Sequence, residues 1–268
     1  WKGLLLGFPA ICMLVIGLLQ GNRLDWFESS LICGLLGAGS LLLVAFLINE
    51  WSQPIPFFKL QMLGIRNLSF ALMTLAGVLV VLLAVVLIPS SYLAQVQGYR
   101  PAQTAPIMLI AALPQLIALP LVAALCNLRW VDCRWVLGIG LSMLALSCLG
   151  GSQLTSQWIR DDFYVLQWLQ IFGQPMAVLP LLMLSTGSIT PMDGPFASAW
   201  FNTVKGLSAV VATGVIEALT TSRLHFHSTM LVDSLGNSPL ADRSDPGLAH
   251  RLHEQAVVLT SSDLYVCM

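Results

Sequence analysis

Apolar residues in this chain neither alternate nor keep to one helical face. They run unbroken in long blocks separated by short polar connectors. Seven such blocks fall at residues 3–19, 29–49, 68–88, 104–125, 135–150, 163–184 and 197–221. A helix needs about 20 apolar residues to cross the hydrocarbon core of a bilayer, and it pairs every backbone N–H and C=O within its own segment. A barrel strand would alternate instead. The pattern therefore predicts an all-α, polytopic transmembrane helix bundle. A polar stretch of about 40 residues follows the last block, at 222–262.

Composition excludes the water-soluble alternative. Hydrophobic residues make up 57% of the chain and charged residues 9%, with a mean hydropathy of +0.82. A soluble domain carries about 25% charged residues. The net charge of −1 supplies no basic field for nucleic acid. Of the six cysteines, five lie in or beside apolar runs and none forms a CxxC pair, so they read as small buried hydrophobes. The first run lacks a basic leader and a small-residue cleavage site and is read as a span. The chain opens at Trp1 and closes on a new apolar run beginning near Asp263, so both ends are read as cut. Lys2, Lys59, Arg66, Arg129, Arg134 and Lys205 fall on one side of the alternating connectors, which the positive-inside rule makes cytoplasmic. The stretch 222–262 is then extracytoplasmic.

Polar groups inside a span are expensive and call for a reason. In the seventh block Ser198, Asn202, Lys205, Thr213, Glu217 and Thr220 project within one stripe about 120° wide. Such a stripe is expected to face a cavity or a partner helix. Two readings stay open for its ends: Lys205 and Glu217 reach the two interfaces, or they handle protons or substrate. In the sixth block Gln167, Gln170 and Gln174 share a face, either for interhelical hydrogen bonds or as pocket lining. Gly173-Gln174-Pro175 is expected to break or bend that helix, and Pro106, Pro114 and Pro120 to break or kink the fourth block around Gln115. His225 and His227, or His250 and His253, are spaced for a metal, but no carboxylate or Cys is placed to complete a set. Leu248, Leu252, Ala256 and Leu259 fit an amphipathic surface helix. With no HExxH, phosphate loop or nucleophile elbow, the chain reads as no enzyme, with no cofactor and no metal.

Five connectors carry a resemblance. Gly21-Asn22-Arg23-Leu24-Asp25-Trp26-Phe27 forms a short turn. Gln53-Pro54-Ile55 is followed by Arg66-Asn67, and Gly98-Tyr99-Arg100-Pro101 leads into Ala105-Pro106. Asp132-Cys133-Arg134 comes next, and then Pro191 with Ala197-Ser198, Asn202 and Lys205. In this order the chain resembles the major facilitator superfamily, in particular its fourteen-span drug:proton antiporters of the EmrB/QacA type. Leu125 and Cys126 depart from the family's cytoplasmic-loop pattern, and Lys205 replaces the commoner Arg.

The resemblance implies residues 1–50 as two linker spans and 51–221 as five spans of the C-terminal bundle. Residues 222–268 become an extracytoplasmic loop and the start of a truncated final helix. It implies a multi-pass inner (plasma) membrane protein, part of a pump that exports small amphipathic organic compounds against proton influx. The implied partners are the lipid bilayer, substrate and protons, the missing N-terminal helix bundle, and a periplasmic adaptor with an outer-membrane channel. The family's coupling acids lie in that N-terminal half. The substrate pathway is assigned to Gln115, Gln167, Trp168, Gln170, Gln174, Met176, Trp200, Asn202 and Thr213, and a coupling or charge-pair role to Lys205 and Glu217. Arg129, Asp132 and Arg134 form a charged cytoplasmic loop, read either as an ion-pair latch or as a solvated cluster. The rival readings are a narrow-specificity metabolite exporter and a non-transporting truncated or structural membrane subunit.

Overall fold

The computed structural model describes residues 2–53, 58–187, 189, 191–236 and 247–268. Pro54 and Ile55 of the second connector lie outside the described residues. Among these residues eight α-helices follow one another: α1 (Lys2–Gln20), α2 (Ser30–Ser52), α3 (Arg66–Gln95), α4 (Pro101–Cys126), α5 (Cys133–Gly151), α6 (Phe163–Thr186), α7 (Gly194–Gly236) and α8 (Leu248–Cys267). No strand occurs among the described residues. The first seven are long and apolar enough to cross a membrane, so the protein is a multi-pass helical membrane protein. The fold class expected from the apolar blocks is borne out.

The chain divides into two compact units, Trp1–Val80 with Leu181–Val215 and Val81–Pro180 with Ile216–Met268. The division falls within α3, α6 and α7.

In the first unit α1 and α2 form a hairpin. Helices in lipid gain no hydrophobic drive toward one another, so they associate where small residues let backbones approach. Gly7 of α1 faces the Phe46 ring, where a Cβ would sit 3.0 Å away, and Gly39 of α2 faces Leu14, Met13 and the Ala10 carbonyl, where a Cβ would sit at 3.0, 3.2 and 3.3 Å. The turn between them is two short 3-10 segments closed by the Trp26 N–H donating to the Gly21 carbonyl at 2.8 Å. Asp25 and Trp26 both adopt left-handed backbone there, at φ 55° and 47°. That conformation is costly for an indole-bearing residue, and the Trp26 ring lies directly over Gly21, where a Cβ would meet it at 2.7 Å.

In the second unit the α3–α4 turn explains the run Gly98-Tyr99-Arg100-Pro101. Gly98 takes φ +64°, a conformation glycine adopts without a Cβ penalty, just past the end of α3. Pro101 opens α4 at a position that needs no N–H, and the Gln103 side chain accepts the Arg100 N–H at 2.8 Å. The α5–α6 connector is tied to the end of α3. The buried Tyr92 hydroxyl donates to the Thr155 carbonyl at 2.7 Å, and Gln97 donates to the Ser156 and Trp158 carbonyls at 3.1 and 3.2 Å. Phe163 packs between Tyr92 and Trp158, at ring separations of 5.7 and 5.3 Å. α5 and α6 cross at Gly140 and Gly173. A Cβ on Gly140 would lie 2.6 Å from the Met176 carbonyl carbon and 2.7 Å from the Ala177 nitrogen.

Several expectations are corrected. The prolines do not interrupt their helices: Pro106, Pro114 and Pro120 lie inside a continuous α4, Pro175 and Pro180 inside α6, and Pro89 inside α3, which runs on to Gln95. Each proline removes one ladder bond, and the turns on either side hold the helix together. The seventh span does not stop at Thr221. α7 has 43 residues, about 65 Å at 1.5 Å per residue, twice the hydrocarbon thickness.

Most of the stretch read as a loop is therefore helical, at 222–236 and 248–262. The partners supply the reason. Asp263 of α8 lies 2.8 Å from His227 Nε2 and 3.7 Å from the Arg223 guanidinium, both on α7. α8 also packs on the end of α5, with Tyr265 over Gly151 and the Ser262 hydroxyl on the Ser152 carbonyl. Its buried residues are Ala256, Val257, Val258, Thr260, Ser261, Leu264 and Tyr265. Leu259 is exposed, so the stripe Leu248–Leu252–Ala256–Leu259 is not the face it buries. Burial raises the pKa of the Tyr265 hydroxyl and keeps it protonated.

The Gly140 crossing generates a test. Gly140→Ala is expected to destabilise the bundle by about 1–3 kcal/mol, because the new methyl meets backbone rather than a yielding side chain. Gly138→Ala, which meets nothing within 4 Å, is expected to be neutral or slightly stabilising. Unfolding midpoints in mild detergent compare the two.

Candidate functional site

Four glutamines and one serine of α4, α5 and α6 build a polar seam within the second unit. Gln115 sits one residue after Pro114 on α4, and Gln174 one residue before Pro175 on α6. The Gln115 amide donates to Gln174 Oε1 at 2.5 Å. One turn earlier on α6, Gln170 donates to the Ser147 hydroxyl of α5 at 3.2 Å, and Ser147 donates on to the Leu166 carbonyl at 3.2 Å. Gln170 and Gln167 are both buried, at 3% and 2% exposure. Gln167 Oε1 has no hydrogen-bond partner among the described residues. An unpaired buried amide oxygen is costly, of order 1–3 kcal/mol, so Gln167 is the member of the seam with spare capacity for a donor.

The aromatic and sulfur positions lie elsewhere. Trp168 is 53% exposed on the flank of α6. Met176 packs against the Val122, Cys126 and Val136 cluster between α4 and α5. Trp200 belongs to the first unit. Its indole N–H donates to the Lys59 carbonyl at 3.2 Å, and its ring meets Phe58 edge-on at 5.1 Å.

α7 carries the expected stripe. Its buried face is Ala197, Phe201, Ser208, Ala212 and Ile216, while Ser198, Asn202, Lys205 and Glu217 are exposed and Thr213 and Thr220 half-buried. The stripe bonds back onto its own helix: Asn202 to the Ser198 carbonyl at 3.0 Å, Thr213 to Ala209 at 3.0 Å, and Thr220 to Ile216 at 2.6 Å. Among the described residues no hydrogen bond or ion pair joins these six side chains to another helix. Of the two surroundings expected for the stripe, the described helices supply no hydrogen-bonding partner.

Arg129, Asp132 and Arg134 are exposed, and among the described residues none of them forms a salt bridge. Asp132 stands at the start of α5, where its carbonyl accepts the Trp135 N–H at 3.0 Å. His250 lies 3.2 Å from Glu254, and no group of three metal-ligating side chains occurs among the described residues.

Sequence reasoning missed a clasp in the first unit. Glu50, assigned to a connector, is 3% exposed inside α2 and accepts the Phe58 N–H at 3.0 Å. Lys59, read as a topology marker, reaches Asp193 at 2.7 Å. The only local signal was a carboxylate directly after an apolar run. The Lys59–Asp193 pairing spans 134 residues and leaves no periodic trace.

No protein-family model matches the chain. It is similar to two bacterial proteins described as uncharacterized MFS-type transporters. With YhcA of Bacillus subtilis it is 20% identical over 253 residues, covering 92% of this chain and 45% of the relative. With Rv1250 of Mycobacterium tuberculosis it is 26% identical over 250 residues, covering 88% of this chain and 40% of the relative. The chain thus spans less than half the length of these curated relatives. The seven helices long and apolar enough to cross a membrane and this similarity agree on a multi-pass helical membrane protein.

Proposed function

We propose that this chain is part of a proton-driven exporter of small amphipathic organic compounds, and that the polar stripe of α7 lines its path. The observation that carries this reading is the exposure of Asn202, Lys205 and Glu217 on a helix that crosses the membrane. Facing lipid, each would carry a substantial burial penalty, about 2.5–3.5 kcal/mol for a lysine at the bilayer centre. Facing a water-filled path between helices, they are solvated and available to substrate. Asn202 and Thr213 supply hydrogen bonds to a passing ligand, and Glu217 is the one carboxylate on the stripe. Within the second unit, the Gln115–Gln174 bridge and the spare acceptor of Gln167 are neutral polar groups suited to partly apolar substrates rather than to ions. The fourteen-span antiporter type, placement in an inner membrane, and the adaptor and outer channel belong to this proposal. So does the placement of the main coupling acid in a further helix bundle.

Export is tested in cells carrying the full-length protein. Dye accumulation is expected to fall relative to vector, and an uncoupler to abolish the difference. Asn202→Leu is expected to cut efflux about tenfold, the equivalent of 1.4 kcal/mol, at unchanged protein level, whereas Val165→Ala on the exposed flank of α6 leaves it intact. Equal accumulation with protein and vector across a broad dye panel would replace drug export by a narrower metabolite exporter.

The glutamine bridge separates lining from bundle cohesion. A double-mutant cycle of Gln115→Leu and Gln174→Leu is expected to give a coupling of about 0.6 kcal/mol in unfolding experiments, the usual worth of such bonds in membranes. If the bridge also serves substrate, each single variant shifts the apparent KM for efflux while leaving expression unchanged.

A further inference from the structure

The first unit contains a cavity of about 350 Å³ between α1, α2, the segment after α2 and the first turns of α7. Its walls include Phe8 of α1, Leu43 and Phe46 of α2, and Trp200, Thr203 and Leu207 of α7. Gly3 and Gly7 keep the α1 side low. The lining is almost wholly apolar. The Trp200 indole N–H is already taken by the Lys59 carbonyl, and Thr203 supplies the one hydroxyl. A cavity with so few polar partners does not hold ordered water, which needs two to four hydrogen bonds. It does not hold a polar metabolite for the same reason.

The position of the cavity decides what fills it. Leu4, Phe8 and Leu207 line it and are also 59%, 70% and 39% exposed, so it opens onto the flank of helices long enough to cross a bilayer. On helices of that length, an apolar flank such as this one is matched to hydrocarbon. At its other end the cavity stops at Phe58, Leu60 and Trp200, beside the Lys59–Asp193 pair. Trp and Lys together are the side chains that favour the membrane–water interface. An apolar slot closed by an interfacial Trp and open sideways to lipid matches an acyl chain whose headgroup stays at the interface.

We propose that this cavity is a binding site for one acyl chain of a bilayer lipid, wedged between the α1–α2 hairpin and α7. The site holds the hairpin against α7 through the lipid as well as through direct contacts. It stands whether or not the protein exports drugs, because it uses none of the α7 polar stripe.

The test uses the full-length protein in vesicles of phosphatidylethanolamine and phosphatidylglycerol with dibrominated acyl chains. Bromine quenches indole emission on contact, and the difference between wild type and Trp200→Phe isolates the Trp200 signal. Thr203→Phe fills the cavity from α7; Leu207→Phe fills it from the next turn if the first variant does not fold. The expected result is Trp200 emission quenched at least twofold in brominated relative to ordinary vesicles, with most of that quenching lost in the filled variant. Trp200 emission unaffected by bromine would overturn the proposal, since another segment of the protein then occupies the slot. Quenching retained in full by the filled variant would overturn it too, since that contact comes from lipid outside the cavity.

Discussion

The absence of water from the hydrocarbon core dictates most of what is seen. Every backbone polar group must pair within the protein there, which is why the chain is helical and why six prolines sit inside otherwise continuous ladders in α3, α4 and α6. The same absence removes the hydrophobic drive between helices. Cohesion falls to close backbone approach and to a few directed bonds. Gly140 against the α6 backbone, Gly7 beside Phe46, the Gln115–Gln174 bridge and the Gln170–Ser147 bond are those devices in this chain.

Against that background the polar stripe of α7 stands apart. The helix buries alanines, Phe201 and Ile216 on one side and leaves Asn202, Lys205 and Glu217 outside. Among the described residues its hydrogen bonds return to its own carbonyls, so the stripe takes no part in bonding between the described helices. The proposed export path needs polar groups that the bundle itself does not consume. The seam on α6 divides the two uses: Gln170 and Gln174 are committed to neighbours, whereas the buried oxygen of Gln167 is not.

The helices were legible in the sequence because apolar runs near the bilayer thickness admit few other structures. The stripe was legible because helical periodicity alone places Asn202, Thr213 and Glu217 together. What the sequence hid was long-range or compensated. Lys59 meets Asp193 across 134 positions, and Tyr92 and Gln97 reach carbonyls of the α5–α6 connector that carry no side-chain signature. The length of α7 was hidden because residues 222–236 are polar, and only their partners on α8, Asp263 above all, show why they stay helical. The breaks expected at the prolines are absent, since each proline removes one bond from a ladder that its neighbours sustain.

Thiol accessibility tests the central claim most directly. Single cysteines at Asn202, Thr213 and Glu217, in a cysteine-free full-length protein, are exposed to a membrane-impermeant thiol reagent, with Val211→Cys on the opposite, exposed apolar side of α7 as the reference. A water-filled path requires that the three stripe positions label while Val211→Cys does not, and that a transported compound slows the labelling. If the stripe positions stay as unreactive as Val211→Cys, α7 turns its polar face to lipid or to another protein segment, and the transport path lies elsewhere.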